Sequence, residues 1–346
     1  MMRKEAIARL LEGGFVPAMP LVLTEKRGFD EEGQRRLIRY YLASGVDGIA
    51  ACVHTTQFEI RLPQHNLLAR VLSVCADEIA RFEKETGRTV IKIAGVCGQI
   101  EQTVSEAKLA ESLGYDCALL SPGGLKAFGE DYLIERTEKV SEILPVVAFY
   151  LQTAVGGRVF SSEYWTQICK IPNVVAVKCA AFNRYFMLDV ARAIADADHP
   201  IALYTGNDDN IVTDLLTEFT FGEKSVRCVG GLLGHWAVWT NTAVRIFREI
   251  KKMHAGKSVP AHLMTLAAKV TDANGAFFDV HNDFAGCIAG VHEVLYRQGL
   301  MKGIWCLNPE ETLSPGQKEE IDRVYKLYPE LNDDAFVKEF LEKEQG

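Results

Sequence analysis

Val174-Val175-Ala176-Val177-Lys178-Cys179-Ala180 is the stretch on which the fold turns. Its first four residues are apolar without alternation, so they read as a strand buried on both faces, the habit of a parallel sheet covered by helices. Working outward, similar runs recur at 16–23, 48–53, 90–96, 117–120, 146–151, 201–204 and 226–230, which makes eight with 174–177. Helix-length amphipathic segments lie between them. In residues 30–44, Leu37, Ile38, Tyr41 and Leu42 share one side, leaving Glu31, Glu32, Arg35 and Arg36 to water. Eight such units predict an α/β fold, a (β/α)8 TIM barrel ending near residue 254, whose working face is the C-terminal end of the strands. A doubly wound open sheet is the rival, weakened because no G-x-G-x-x-G follows an early strand and no phosphate-loop motif occurs. Beyond Gly256 and Pro260 the strand pattern stops. Helical periodicity continues at 261–272, 283–299, 316–327 and 333–344, so the chain divides into a barrel, 1–255, and a C-terminal helical extension, 256–346.

Composition narrows the function. The 346 residues are 48% apolar and 24% charged, enough for a large core. Lys+Arg 38 against Asp+Glu 46 gives a net charge of −8 without a basic stripe, which argues against nucleic acid or an anionic membrane surface and for a small-molecule partner. Nine cysteines are scattered singly, with no Cys-x-x-Cys pair for zinc or redox work, a pattern suited to the cytoplasm. Arg9 and Glu12 interrupt any signal-peptide core, and the longest apolar run, 144–151, is far below the ~20 residues of a membrane span.

Chemistry in a barrel belongs at strand ends. Lys178 ends a buried strand and is followed by apolar neighbours; desolvation there favours a neutral, nucleophilic amine able to form a Schiff base with a carbonyl. Its alternative is a lysine that snorkels to the rim or pairs with Asp208. Tyr150 ends the fifth strand, and its phenol is a candidate proton carrier or an ordinary packing residue. Thr55 and Thr56 follow the second strand, where hydroxyls and N–H groups can hold a small carboxylate or simply cap a turn. Gly206-Asn207-Asp208-Asp209 follows the seventh strand as a substrate-hydroxyl loop or a helix cap. Gly230-Gly231 closes the eighth and would leave room for a ligand, and Gly156-Gly157-Arg158 joins a flexible loop to a carboxylate-holding cation. His54, His235, His281 and His292 are too dispersed for a metal site and read as hydrogen-bonded structural residues.

Together these features resemble the class I pyruvate aldolase family that includes dihydrodipicolinate synthase and N-acetylneuraminate lyase. Gly45-Val46-Asp47-Gly48-Ile49 with His54-Thr55-Thr56 is similar to its G-x-D-G-I/L strand and G-T-T carboxylate loop. Ile171-Pro172-Asn173 through Lys178 is similar to its I-P-N-x-x-G-x-K strand, Phe149-Tyr150 falls at its Y-N-x-P tyrosine, and Gly206-Asn207-Asp208-Asp209 resembles its G-x-D-D/E loop. The resemblance implies a cofactor-free, metal-free Schiff-base lyase. In it Lys178 condenses with pyruvate or another 2-oxo acid, Tyr150 relays protons, Thr55 and Thr56 hold the carboxylate, and the protein is a homo-oligomeric dimer or tetramer. A 2-oxo-3-deoxy sugar-acid dehydratase using the same iminium, and a non-catalytic 2-oxo-acid-binding protein, are the alternatives.

The departures are specific. His54 replaces the glycine of G-T-T; Leu151-Gln152-Thr153 replaces N-x-P; the synthase arginine is absent at Val155; Ser121-Pro122-Gly123-Gly124 stands in place of P-x-Y; and Cys179-Ala180 follows the lysine where acidic residues are common. They point away from lysine biosynthesis and toward a different 2-oxo acid, with Gly156-Gly157-Arg158 and Asn207-Asp208 expected nearest its distal part and Gly230 as a further substrate-binding position.

Overall fold

The computed structural model describes residues 3–256 and 258–345. In chain order the barrel region runs α1 (Lys4–Glu12), β1 (Phe15–Pro17), α2 (Glu31–Ser44), β2 (Gly48–Ala51), α3 (Leu68–Thr86), β3 (Ile91–Val96), α4 (Ile100–Ser112), β4 (Cys117–Leu120) and α5 (Glu130–Ser141). It continues with β5 (Val146–Leu151), α6 (Ser162–Ile168), β6 (Val174–Ala180), α7 (Arg184–Ala195), β7 (Ala202–Thr205), α8 (Ile211–Leu216), β8 (Glu218–Phe221), β9 (Lys224–Leu233) and α9 (Thr240–Met253). Strand order in the sheet is β1-β9-β7-β6-β5-β4-β3-β2, and every neighbouring pair on that path is parallel. The two edges meet: Ala18 bridges Ala50 in parallel, and the Met19 N–H donates to the Ala50 carbonyl at 2.9 Å. The fold is therefore the (β/α)8 barrel that the unalternating apolar runs require.

Those runs are apolar on both faces because both faces are buried. Inside the barrel, Val147, Phe149 and Leu151 of β5 meet Ala176 and Ala180 of β6. Between the barrel and its helices, Val146, Ala148 and Tyr150 meet Val177 and Cys179. The helices are set by local chemistry. The Asp30 side chain caps α2 by accepting the Gly33 N–H at 3.0 Å, and Gly45 ends it in the left-handed region at φ 91°. Between those stops Leu37, Ile38, Tyr41 and Leu42 are buried.

The sequence pattern missed one element. β8 pairs antiparallel with β9, Glu218 opposite Arg227 through Phe221 opposite Lys224, so the last barrel strand begins in a hairpin and runs from Lys224 to Leu233 instead of 226–230. The charged residues at 218, 223, 224 and 227 hid this, because an exposed hairpin needs no apolar run.

α1 closes the N-terminal end of the barrel. Leu10 joins the inner core, and the Tyr204 hydroxyl donates to its carbonyl at 2.8 Å while accepting the Gly14 N–H at 2.9 Å. The opposite end stays open. After the barrel come α10 (His262–Phe277), α11 (Cys287–Arg297), α12 (Gln317–Leu327) and α13 (Asp334–Gln345). They share a continuous apolar core with the barrel: the Trp239 ring lies 4.8 Å from Phe277 and 5.0 Å from Tyr325, edge to face. The Tyr40 hydroxyl donates to Asp333 at 2.7 Å, tying the start of α13 to α2. No described helix is long and apolar enough to cross a membrane.

Candidate active site

A cleft opens at the C-terminal ends of the strands. Lys178 lies on its wall, 8% exposed. Strand register explains its surroundings. Phe149 of β5 is the cross-strand neighbour of Lys178, so both side chains point inward and Nζ sits 4.3 Å from the Phe149 ring centroid. On the other side Gly206 makes room, since a Cβ there would lie 2.8 Å from Ala180 Cβ and 2.6 Å from Lys178 Cε. Burial pulls the ammonium down to about 8, against the opposing pull of Asp208. Burial thereby tilts the amine toward its neutral form.

Asp208 lines the same cleft. It is fixed by the His235 backbone N–H, which donates to its Oδ1 at 2.9 Å. Burial pushes its carboxyl up to about 7, with the His235 hydrogen bond and Lys178 opposing. An amine and a carboxyl are thus both drawn toward the neutral range, the pattern that acid–base work exploits. His54 is a third wall residue, held neutral by burial and by Lys178, its pKa lowered to about 4. Among the described residues, no group of three or more His, Cys, Asp or Glu side chains is arranged to hold a metal ion.

The remaining strand-end candidates sort differently. Thr55 lines the cleft, but its hydroxyl donates to the Ala18 carbonyl at 2.9 Å. Thr56 is fully buried, donates to the Met19 carbonyl at 2.6 Å, and does not reach the cleft. Both hydroxyl protons are spent on the β1–β2 seam. Within the turn the Val53 N–H is taken by the Thr56 hydroxyl at 3.2 Å and the Thr56 N–H by the Val53 carbonyl at 3.0 Å, so only the His54 and Thr55 N–H groups are candidates for a carboxylate.

Three placements correct the sequence reading. Tyr150 does not face the cleft. One residue beyond inward-facing Phe149, it points into the layer between barrel and helices, 2% exposed, stacked on Trp165 at 5.3 Å and Phe186 at 5.8 Å. Its hydroxyl accepts only the Phe160 N–H, at a long 3.4 Å, and burial pushes its pKa up to about 12. Gly230 does not line the cleft either. With β9 running to Leu233 it sits mid-strand, where a Cβ would strike Gly14 and the Tyr204 ring; Gly234 occupies the rim instead. Arg158 turns away from the cleft, donates to the Phe128 carbonyl and stacks on Phe160 at 5.5 Å, fastening the loop after β5 to the loop before α5.

Sequence reasoning also missed wall residues. Phe149 and Leu151 flank Tyr150 and could have been found by matching strand parity to Lys178, whereas Gln152 lies past the strand end. Phe278, Phe284 and Cys287 come from the helical extension, and nothing in their local sequence signals a site. Asn207 proves to be a clamp: its Oδ1 accepts the Phe182 N–H at 2.9 Å and its Nδ2 donates to Asp214 at 2.9 Å.

An eight-stranded parallel barrel with a buried lysine toward the open end of its sixth strand defines a class of protein, an α/β barrel with a desolvated amine in its cleft. Residues 12–327 match the model of the Dihydrodipicolinate synthetase family, and the chain belongs to that family. It is 25% identical over 185 residues to "Probable 5-dehydro-4-deoxyglucarate dehydratase 2" of Streptomyces coelicolor, which covers 51% of this chain and 52% of that protein. It is 27% identical over 201 residues to 4-hydroxy-tetrahydrodipicolinate synthase of Syntrophobacter fumaroxidans, 56% of this chain and 64% of that protein. The matches therefore span only about half to two thirds of the length of these curated relatives. The crystal structure of dihydrodipicolinate synthase from Acinetobacter baumannii, complexed with pyruvate, superposes with a TM-score of 0.72 at 19% identity, covering 94% of this chain and 99% of that one.

Proposed function

We propose that the protein is a Schiff-base-forming lyase acting on pyruvate or another 2-oxo acid, with Lys178 as the nucleophile. The observation that carries this reading is the buried Lys178 amine, drawn down to about 8 in a family whose model spans residues 12–327. The pyruvate complex of the Acinetobacter baumannii synthase supports the choice of a 2-oxo acid.

In this reading the neutral Nζ attacks the ketone carbon, and the carbinolamine loses its oxygen as water to leave an iminium. The iminium accepts the electron pair released when a neighbouring C–C or C–H bond breaks. The substrate carboxylate lies against the backbone N–H groups at Thr55. With Tyr150 facing away, Asp208 takes the proton duties: as the acid it helps the hydroxyl leave as water, and as the base it receives the substrate proton. His54, neutral, completes the polar floor.

Loss of water from a sugar acid through the same iminium is the second reading, favoured by the match to the Streptomyces coelicolor dehydratase. The protein acts as a cytoplasmic homo-oligomer, in keeping with its free cysteines, nearly all buried, and with the family resemblance. Residues 1–255 form the catalytic barrel, and 256–346 the extension that completes its rim.

The test is reductive trapping. Pyruvate plus borohydride should add to Lys178 a mass equal to the 2-oxo acid less one oxygen, located by peptide mapping and absent from Lys178→Ala. A folded protein that binds 2-oxo acids without ever yielding the adduct is a binder and not a lyase.

A further inference from the structure

Resting on the reading of Lys178 as the Schiff-base lysine, we propose that this cleft selects a 2-oxo acid with an apolar, flat distal group, an aryl or comparable hydrocarbon tail, and rejects diacids and polyhydroxylated chains. The polar groups of the wall gather around the reacting carbon: Lys178, Asp208, His54 and Thr55. The rest of the wall is largely hydrocarbon, with Leu151 at the end of β5, Val155 after it, and the rings of Phe182, Phe278 and Phe284. Gln152 is the one amide among them.

Two of these aromatics are held at the mouth by unusual backbone. Phe182 at φ 51° and Phe284 at φ 66° both occupy the left-handed region that bulky residues rarely adopt. Each is anchored there, Phe182 by Asn207 and Phe284 by its N–H donating to the Asp279 carbonyl at 3.0 Å. Their rings meet edge to face at 5.9 Å and remain half-buried. Strained backbone that presents two half-buried rings to a cleft marks a surface completed by a ligand.

Charge points the same way. Lys178 is the only lysine or arginine on the described wall, and it is committed to the covalent bond at the 2-oxo carbon; Arg184, the cation nearest in sequence, pairs with Asp214, and Arg158 is tied to the Phe128 carbonyl outside the cleft. A second substrate carboxylate would meet the Asp208 carboxyl with no cation to receive it. Hydroxyls along a sugar chain would face phenyl rings without partners. A flat hydrocarbon tail has neither difficulty and gains aromatic stacking.

The experiment reads the tail through adduct formation alone, so turnover is not needed. The wild-type protein is titrated with pyruvate, 2-oxo-4-phenylbutanoate, 2-oxohexanoate and 2-oxoglutarate, borohydride is added, and the Lys178 adduct is quantified by intact mass. The phenyl acid should half-saturate trapping at a concentration at least about tenfold below that of 2-oxoglutarate, with 2-oxohexanoate between them. Val155→Arg places a guanidinium on the apolar wall and should move the ratio toward 2-oxoglutarate by about tenfold or more; Phe284→Ser should shrink it from the other side. Equal half-saturation for all tails, or tighter trapping of 2-oxoglutarate by the wild type, overturns the proposal while leaving the lysine reading intact. Absence of any adduct, with pyruvate included, overturns the lysine reading and the tail assignment together.

Discussion

The two faces of the β5–β6 pair carry opposite chemistry. On the inner face Phe149 and Lys178 stand side by side at the cleft; on the outer face their chain neighbours, Tyr150 and Cys179, are sealed among Trp165, Phe186 and Val177. The difference is one residue of strand parity, and it decides which groups can touch a substrate. A phenol adjacent in sequence to the wall is separated from it by the sheet itself. A carboxyl from the loop after β7, Asp208, shares the cleft wall with the amine.

The largest effect that can break this contrast is at Lys178. Lys178→Ala should abolish adduct formation and turnover together with the fold retained by circular dichroism, and persistent adduct elsewhere would relocate the chemistry. Next, Asp208→Asn should lower turnover by ~10² to 10⁴ while adduct formation survives. The sign of its pH effect is fixed. The Asp208 anion favours the ammonium form of Lys178, so wild-type trapping should rise as pH passes about 8, and the variant's rise should move to lower pH. An unchanged profile would separate the two groups. Third, Tyr150→Phe should change turnover by no more than about threefold and stability by about 1 kcal/mol or less, because only a long hydrogen bond at 3.4 Å is lost. A fall as large as that of Asp208→Asn would put the phenol back into the chemistry. Moving the hydroxyl across the sheet with Phe149→Tyr sharpens the point, since that ring already lies against Nζ. The smallest effect belongs to Arg158→Ala, expected to lower the melting temperature by a few degrees through the lost Phe128 contact and to leave tail preference unaltered.

The barrel was legible because continuous apolar runs have one economical explanation, a sheet buried on both sides. That same property made Tyr150 illegible. In Val146–Leu151 every residue is apolar or aromatic, so no alternation marks which side faces in, and only the register to Lys178 resolves it. Gly230 was misplaced because a charged hairpin concealed the true extent of β9, and Arg158 because loop direction is not written in local sequence. Lys178 stood out as an ionisable group at an apolar strand end, while Asp208 was legible only as a candidate partner for it inside a loop that also reads as a helix cap. The aromatic rim did not, since Phe278 and Phe284 reach the cleft only through the tertiary packing of the extension.

The seam that joins the barrel also sets when the site can exist. β1 is paired on one side with β9, Phe15 opposite Gly231, and on the other bridges β2 through Ala18 and Ala50. During synthesis the first strand emerges more than two hundred residues ahead of the partner it needs, so it waits with an unpaired edge until β9 has left the ribosome. The cleft wall itself spans Ala18 to Cys287. A nascent or truncated chain ending before β9 carries Lys178 as an ordinary, water-exposed, protonated lysine. The burial that lowers the Lys178 amine comes into being with ring closure, so in the proposed reading the unfinished chain lacks the environment that favours attack on a carbonyl.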